Sequence, residues 1–450
     1  MIPALRAASP TRRCARSTAG LLLVLALAGL AGCSTGPTAA GPVPGAAAPG
    51  SAGPVAPTGP AAPAPSTATA AQSAPAASAS PAAPPPTLPY DQAVLSAATS
   101  VLKPAAGAAA APSPKPQAIV IDPLIDGMTG MQSATTQATG QRLAQLIRTQ
   151  YPQLALLPFS AASVASAPLV LIGTITGVNA QRQAAGAREA FRICFALADL
   201  KTGKLVSKGL AFAQGAGVDA TPLAFYRDAP AFTDDPATLG YIRTCQGTKA
   251  GDPIHPLYVD RILVAAQVAE AIEAYDAGRY AQALSLYSSA QRSPAGDQFR
   301  VYNGLYLSHW KLGHRAQADA AFKQIVDHGL AQKRLAVKFL FRPGAVAFAD
   351  AKLSAPYPGW ISAIGSRASA AGACLEVVGH TSATGPEPLN ERLSQLRAEH
   401  LKSLLETSAP LLAKRTIASG MGSRQMLVGN GRDDVSDALD RRVEFKVIGC

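Results

Sequence analysis

Cysteine is the residue type in this sequence whose spacing bears most directly on chemistry. Cys14 and Cys33 lie near the start, and the other four are Cys194, Cys245, Cys374 and Cys450. No pair has the CxxC spacing, and no cysteine is spaced with histidine as in a zinc site. In an oxidising compartment the even number of remaining thiols favours two disulfides, for which three pairings exist. We expect no metal and no other cofactor.

Catalytic and nucleic-acid-binding patterns are the next signals to test. The sequence contains no GxSxG, HExxH or P-loop motif, and its six histidines are scattered. The formal net charge is +12, but no basic run is interleaved with aromatic residues. We therefore expect neither an enzyme nor a nucleic-acid partner. A positive surface also suits anionic cell wall or lipid head groups.

The sequence around Cys33 predicts a modified cysteine. A basic segment, residues 6–16, precedes an apolar run, residues 21–30, that is too short to span a bilayer and is typical of a signal peptide. Leu30-Ala31-Gly32-Cys33 resembles the lipobox of bacterial lipoproteins. The resemblance implies cleavage after residue 32, acylation of Cys33 and, because Ser34 follows, an outer-membrane location. The alternative is an ordinary signal peptide with a chance cysteine.

Residues 33–87 are predicted to form a disordered tether. From Ser34 to Thr87 the chain is almost entirely Ala, Pro, Ser, Gly and Thr, without a charged residue. Such a segment cannot bury enough apolar surface to fold. In an extended conformation it would hold the rest of the chain on the order of 100 Å from a membrane.

The first folded domain is predicted over residues 88–255 as an α/β sandwich. Helices are predicted over 91–102 and 133–148, with an extended Ala/Pro stretch over 104–116 between them, and strands over 117–126, 154–159, 168–178, 191–200 and 204–213. The motifs IVIDPLID, LLPFS, LVLIGTITG and ADLKTGKLV resemble the domain shared by the N-terminal part of TolB, CsgG and the LpoB activator. The resemblance implies binding of other envelope proteins. Asp122 and Asp126 lack the alternating ligands of a cation loop, which favours capping roles.

Residues 258–330 are predicted to be a short helical repeat segment. Two stretches repeat with a spacing of 35, aligning Gly278 with Gly313, Ala283 with Ala318 and Tyr287 with Phe322. This pattern of turn glycine, small alanine and aromatic resembles the tetratricopeptide repeat. Because about three repeats are needed to bury a continuous core, we expect these two to pack on a neighbouring domain. They would serve either as a dock for a protein or peptide, or as a connector.

The last predicted domain spans residues 331–450. Strands are predicted over 335–341, 374–379 and 438–447, and helices over 360–371 and 390–405. The motifs GHTSATG, NERLSQLRA, SGMGS and DRRVEF, in this order, resemble the OmpA-like family. The resemblance implies a βαβαββ sandwich that holds the diaminopimelate group of peptidoglycan noncovalently.

The resemblance also implies a site for that ligand. A zwitterionic ligand end needs a carboxylate for its ammonium and a guanidinium for its carboxylate. Arg397 occupies the arginine position, but Ser382 replaces the aspartate and Arg342 replaces a further acid. Asn390 and Arg442 complete the candidate set. A serine contact without charge is worth only about 1 kcal/mol, so retained peptidoglycan binding and a changed ligand both remain open.

These features together predict an α+β multidomain lipoprotein of the outer membrane that faces the periplasm. It would link the membrane to peptidoglycan or to a periplasmic complex. Asp440 is a candidate to supply the carboxylate that is missing at position 382. The alternative is an envelope adaptor or regulator that binds a periplasmic or outer-membrane protein and has lost peptidoglycan binding. The domain boundaries favour Cys194–Cys245 and Cys374–Cys450 as disulfides, because each pair lies inside one predicted domain.

Overall fold

A computed structural model describes residues 85–109, 115–166, 168–184, 188–232, 235–429 and 436–450. The signal peptide, Cys33 and nearly all of the predicted tether lie outside these residues. Within the described ranges no helix is long and apolar enough to cross a membrane. Nor do these ranges contain a group of three or more His, Cys, Asp and Glu side chains that could hold a metal ion.

The first part of the described chain is built on a mixed sheet. Its strands are β1 Thr87–Leu88, β2 Gln117–Ile121, β3 Ile125–Asp126, β4 Leu154–Leu157, β5 Leu169–Val178, β6 Ala190–Asp199 and β7 Lys204–Gln214. They lie in the order β1-β7-β6-β5-β2-β4, with β3 beside β5. Strands β5, β6 and β7 form an antiparallel meander, whereas β2 is parallel to both β4 and β5.

Helices cover both faces of this sheet. They are α1 Tyr90–Ala109, α2 Ala134–Gln150, α3 Ala161–Ala165, α4 Ala224–Asp228, α5 Pro236–Gln246 and α6 Pro256–Val259. Strand β5 is buried along its whole length, and its successive side chains point to opposite faces. Leu171 packs in one core with Val101 of α1 and Leu143 of α2. Ile172 packs in the other core with Tyr241 of α5.

Helix α1 is longer than the sequence predicts. We expect a helix over 91–102 followed by an extended Ala/Pro stretch, but α1 continues through Pro104 to Ala109. Alanine has the highest helix propensity, and Ala105 is only 1% exposed in the core that α1 shares with the sheet. Burial of small side chains therefore extends the helix into sequence whose composition is like that of the tether.

Two helical hairpins follow the sheet. Their helices are α7 Ile262–Asp276, α8 Tyr280–Gln291, α9 Phe299–Lys311 and α10 Arg315–Ala331. Gly278 and Gly313 join the helices of each hairpin with φ values of 74° and 79°, a left-handed conformation that glycine adopts without steric cost. Tyr287 and Phe322, which the repeat spacing aligns, are both buried. Each repeat unit in the sequence thus corresponds to one hairpin.

The last domain combines a second sheet with helices on it. Its elements are β8 Phe339–Leu340, α11 Ala351–Ser354, α12 Tyr357–Ala370, β9 Cys374–Gly379, α13 Glu387–Ser408, β10 Thr416–Gly420 and β11 Arg442–Ile448, with 3-10 turns at Pro410–Leu412 and Ser436–Leu439. The strand order is β10-β9-β11-β8. Strand β10 is parallel to β9, and β11 is antiparallel to both β9 and β8.

The strand predicted over 335–341 is only partly a strand of this sheet. Val337 forms an antiparallel bridge with Ala231 instead. The amide of Lys338 donates to the carbonyl of Pro230, and the amide of Phe232 donates to the carbonyl of Ala336. The backbone groups of residues 336–338 are therefore satisfied by the first domain, which leaves only Phe339–Leu340 for β8.

The hairpins share an apolar core with the last domain. The ring of Trp360 in α12 stacks on Phe322 in α10, with centroids 5.1 Å apart and an interplanar angle of 6°. The indole N–H of Trp360 also donates to the hydroxyl of Tyr306, at 3.0 Å. One cluster of buried apolar side chains extends from the hairpins to β9 and β11. Two hairpins thus bury their apolar surface against a neighbour, as the repeat number anticipates.

Candidate functional site

The loop after β9 is where the sequence places the wall-binding candidates. Gly379 ends β9, and a Cβ atom there would lie 2.0 Å from the carbonyl oxygen of Ser394 in α13. A residue without a Cβ is therefore required for β9 and α13 to approach this closely. The approach brings Arg397, on the next turn of α13, to the start of the loop at His380.

The side chain of Arg397 is completely buried. Its Nε donates to the carbonyl of Ala345 at 2.9 Å, its Nη1 to that of His380 at 3.2 Å, and its Nη2 to that of Arg342 at 2.8 Å. The planar guanidinium suits such convergent acceptors. Arg397 thus ties α13 to the β9 loop and to the turn after β8, which is a structural role. The side chain of Arg342 itself is exposed.

Ser382 and Asn390 lie in and beside the same loop. Their exposed fractions are 5% and 7%, so both are buried. Ser382 Oγ lies 3.0 Å from Thr384 Oγ1, and Asn390 Nδ2 donates to the carbonyl of Gly385 at 3.4 Å. Ser382, Asn390 and Arg397 therefore lie in or beside one loop, and no carboxylate stands at position 382.

Two further polar atoms of this loop are buried without a hydrogen-bond partner among the described residues. They are Nδ1 of His380 and Oγ1 of Thr381. A buried polar atom that makes no hydrogen bond costs about 1–3 kcal/mol. In native structures such an atom has a specific explanation, for example local strain or a contact with a water molecule or an ion. The loop thus offers hydrogen-bonding capacity that the described residues do not use.

Arg442, the remaining candidate, belongs to a buried ionic cluster. Its Nη2 lies 3.3 Å from Oε1 of Glu444, and Nε2 of His380 lies 3.1 Å from the same oxygen. Burial, together with the charge of Arg442, lowers the pKa of His380 to about 4, so the imidazole is neutral near pH 7. Burial alone would raise the pKa of Glu444, but Arg442 and His380 lower it to about 2. Glu444 therefore balances the charge of Arg442.

Sequence reasoning misses Glu444 and assigns an open role to Asp440. Asp440 is completely buried, and its carboxylate accepts the backbone N–H groups of Leu427, Val428 and Gly429. These hydrogen bonds stabilise the turn at residues 427–429, so the carboxylate of Asp440 is not free to replace the one that is missing at position 382. Glu444 lies two residues after Arg442, and side chains at this spacing share one face of a strand. That spacing is the signal that could have identified it.

The structure brings both candidate cysteine pairs together. Cys374 and Cys450 form a disulfide, with Cα atoms 5.4 Å apart, at the end of the antiparallel β9–β11 pair. Cys194 and Cys245 are both buried with their Sγ atoms 2.7 Å apart, so the second expected disulfide needs only a small approach of the two sulfurs and stays a prediction. Burial raises the pKa of Cys245 well above its usual value.

The aspartates before α2 have structural contacts. Oδ1 of Asp126 accepts the backbone N–H groups of Met128, at 3.0 Å, and Thr129, at 2.8 Å. Asp122 accepts the hydroxyl of Tyr258 at 2.7 Å, and burial raises the pKa of Asp122 to about 7. Asp126 thus caps a turn and Asp122 bonds inside the core.

Comparison with known proteins finds similarity in limited parts of the chain. No protein-family model matches it. A segment of 73 residues, 16% of this chain, is 36% identical to outer membrane porin F of Pseudomonas fluorescens, and it spans 22% of that relative. The chain therefore covers about a fifth of the length of this curated relative.

Similar solved structures include three from the bacterial envelope or its machines. The peptidoglycan-associated lipoprotein of Burkholderia pseudomallei is 19% identical, with 25% of this chain and 89% of that chain covered and a TM-score of 0.22. The periplasmic domain of Helicobacter pylori MotB is 15% identical, with 24% of this chain and 69% of that chain covered and a TM-score of 0.21. The cell wall anchor of the T6SS of Pseudomonas aeruginosa is 19% identical, with 29% of this chain and 97% of that chain covered and a TM-score of 0.21. The likeness is confined to about a quarter of this chain.

Proposed function

We propose that this protein is a lipoprotein of the outer membrane, anchored through Cys33 and facing the periplasm. Its last domain holds it to peptidoglycan or to a periplasmic complex, and it has no catalytic role. The similarity to a segment of an outer membrane porin supports the envelope location. The lipobox-like Leu30-Ala31-Gly32-Cys33 supports the anchor. The Ala/Pro segment from Ser34 to Thr87 supplies the reach from the membrane to the wall.

One observation carries the role of the last domain. The loop between β9 and α13 holds buried polar atoms on His380 and Thr381 that have no hydrogen-bond partner among the described residues. Ser382 and Asn390 add further polar groups to the same loop. These atoms are enclosed, so a polar ligand such as a wall peptide would reach them only if the loop opens on binding, and this loop is the binding site of the proposal.

We expect the full chain to co-sediment with purified sacculi, and Ser382→Asp to bind them about threefold to tenfold more tightly. A carboxylate at position 382 would form a charge-assisted contact with the ligand ammonium, which is about twice as strong as a neutral one. The bound fraction is measured against sacculus concentration. Ser403→Asp, at an exposed position of α13, is the matched control and should bind like wild type. If neither wild type nor Ser382→Asp sediments with sacculi, peptidoglycan is not the ligand.

A second candidate function is a protein-binding adaptor that has lost peptidoglycan binding. The contacts of Arg397 favour it, since the guanidinium that would hold a ligand carboxylate is completely buried and donates to three backbone carbonyls. The sacculus assay separates the two candidates. An adaptor would remain in the supernatant and would instead retain envelope proteins in a pull-down from detergent-solubilised membranes.

The anchor is tested separately by Cys33→Ser. We expect the variant to incorporate no clickable palmitate and to leave the membrane fraction, because acyl chains on Cys33 supply the membrane affinity. Cys14→Ser, which alters a cysteine inside the predicted signal peptide, is the control and should be labelled like wild type. Equal labelling of Cys33→Ser and wild type would contradict the anchor.

A further inference from the structure

A groove of about 860 Å³ opens between the first domain and the hairpins. One side is formed by α2 and the other by α7, and the segment Pro158–Ser160 after β4 also lines it. Among the described strands, β4 is at the edge of its sheet. Ligand-binding clefts commonly have volumes of about 300–1,000 Å³, so this groove is large enough for several residues of a peptide.

The floor of the groove is apolar. Leu157 and Phe159 supply its accessible apolar surface, above the buried side chains of Leu124 and Ile272. Leu157 and Phe159 are only half-buried, although they lie in a concave part of the surface. An apolar surface of this kind is stabilised when a partner covers it.

The α7 side of the groove is acidic. Glu270, Glu273 and Asp276 recur at a spacing of three residues, which places them along one face of the helix, and all three line the groove. Among the lining residues the basic side chain is that of Arg148. The chain as a whole has a net charge of +12. The groove therefore has a net negative charge, whereas the whole sequence has a net positive charge.

We infer that this groove binds a basic, partly apolar peptide segment of another protein. The carboxylates of α7 would bind its Lys or Arg side chains, and the floor would cover its apolar side chains. The uncharged tether of this chain, Ser34 to Thr87, has no cation to offer these carboxylates. Peptide binding in this groove does not depend on the β9 loop, so it can be tested independently of peptidoglycan binding.

The test uses fluorescein-labelled peptides and the detergent-solubilised full chain. We expect acetyl-(Lys-Leu-Ala)3-amide to raise fluorescence anisotropy, with affinity falling as salt increases. The matched peptides (Glu-Leu-Ala)3 and (Lys-Ser-Ala)3 should bind more weakly, the first for lack of charge complementarity and the second for lack of apolar contact. The double variant Glu270→Gln/Glu273→Gln should bind the first peptide about fivefold to tenfold more weakly, since each partly exposed ion pair contributes modestly.

The control variant is Asp319→Asn/Glu399→Gln, which removes two exposed carboxylates outside the groove and should bind like wild type. Equal loss of binding in the control and groove variants would overturn the inference, because it would show that only the net charge matters. Equal affinity of wild type for the basic and acidic peptides would also overturn it. So would a concentration-dependent dimer in sedimentation velocity that Glu270→Gln/Glu273→Gln abolishes, since a second copy would then occupy the groove.

Discussion

Arg397→Ala should destabilise the last domain by about 3–5 kcal/mol. The substitution removes hydrogen bonds to the carbonyls of Ala345, His380 and Arg342. It leaves the buried carbonyl of His380 without this donor, at about 1–3 kcal/mol, and it opens a cavity in place of a completely buried side chain. The midpoint of urea unfolding is the measurement. Fluorescence reports on this part of the molecule, because both tryptophans, Trp310 and Trp360, lie where the hairpins meet the last domain.

Two further variants make the result specific. Arg392→Ala, at an exposed position of the same helix, should change stability by less than about 0.5 kcal/mol. Arg397→Lys keeps the charge but loses the planar fork that reaches several acceptors, so it should retain only part of the stability. If Arg397→Ala unfolds at the wild-type urea concentration yet no longer binds sacculi, Arg397 contacts the ligand and the structural role is refuted.

Asp235→Ala should destabilise the protein by about 3–5 kcal/mol, because it leaves a buried guanidinium without its carboxylate. The side chain of Asp235 is completely buried and accepts from Nε of Arg300 at 2.9 Å. It also accepts the amide of Thr238 at 2.9 Å as the N-cap of α5. Arg300 belongs to α9, so this ion pair joins the first domain to the hairpins. Thermal and urea unfolding measure the loss.

The double variant Asp235→Leu/Arg300→Met is the control for charge burial. It replaces the pair by apolar side chains, and such replacements are often neutral or stabilising. It should therefore recover much of the stability that Asp235→Ala loses, apart from the cap, which is worth about 1 kcal/mol. A double variant no more stable than Asp235→Ala would show that the cap, rather than the ion pair, dominates.

Two elements of the last domain follow closely from local sequence patterns, whereas β10, Thr416–Gly420, is not among the predicted strands. Strand β9 has the predicted bounds, 374–379, and α13 extends the predicted helix, 390–405, by three residues at each end. Alternating and helical periodicities are local signals, so they predict elements well. The pairing of Val337 with Ala231 joins residues more than a hundred positions apart, and no local pattern encodes it.

The sequence predicts which residues meet at the candidate site, but not which hydrogen bonds their side chains form. The motif spacing indicates that Arg397 and the loop around Ser382 meet. The motif spacing does not show that the guanidinium of Arg397 donates to backbone carbonyls. The positions of these carbonyls depend on how the chain turns at Arg342 and Ala345. The groove on α7 is also absent from the sequence analysis. Its two sides come from separate predicted domains, and only tertiary packing places Glu273 opposite α2.

The position of β11 has a consequence for how the last domain folds. This strand is synthesised after the other elements of its domain, yet it lies between β9 and β8 in the sheet. The chain is synthesised from its N-terminus, so the two neighbours of β11 at first have no partner between them. The sheet closes only when residues 442–448 emerge, and Cys374 gains its disulfide partner, Cys450, at the same moment. Until then the facing edges of β8 and β9 are unpaired, and unpaired strand edges can pair with other chains.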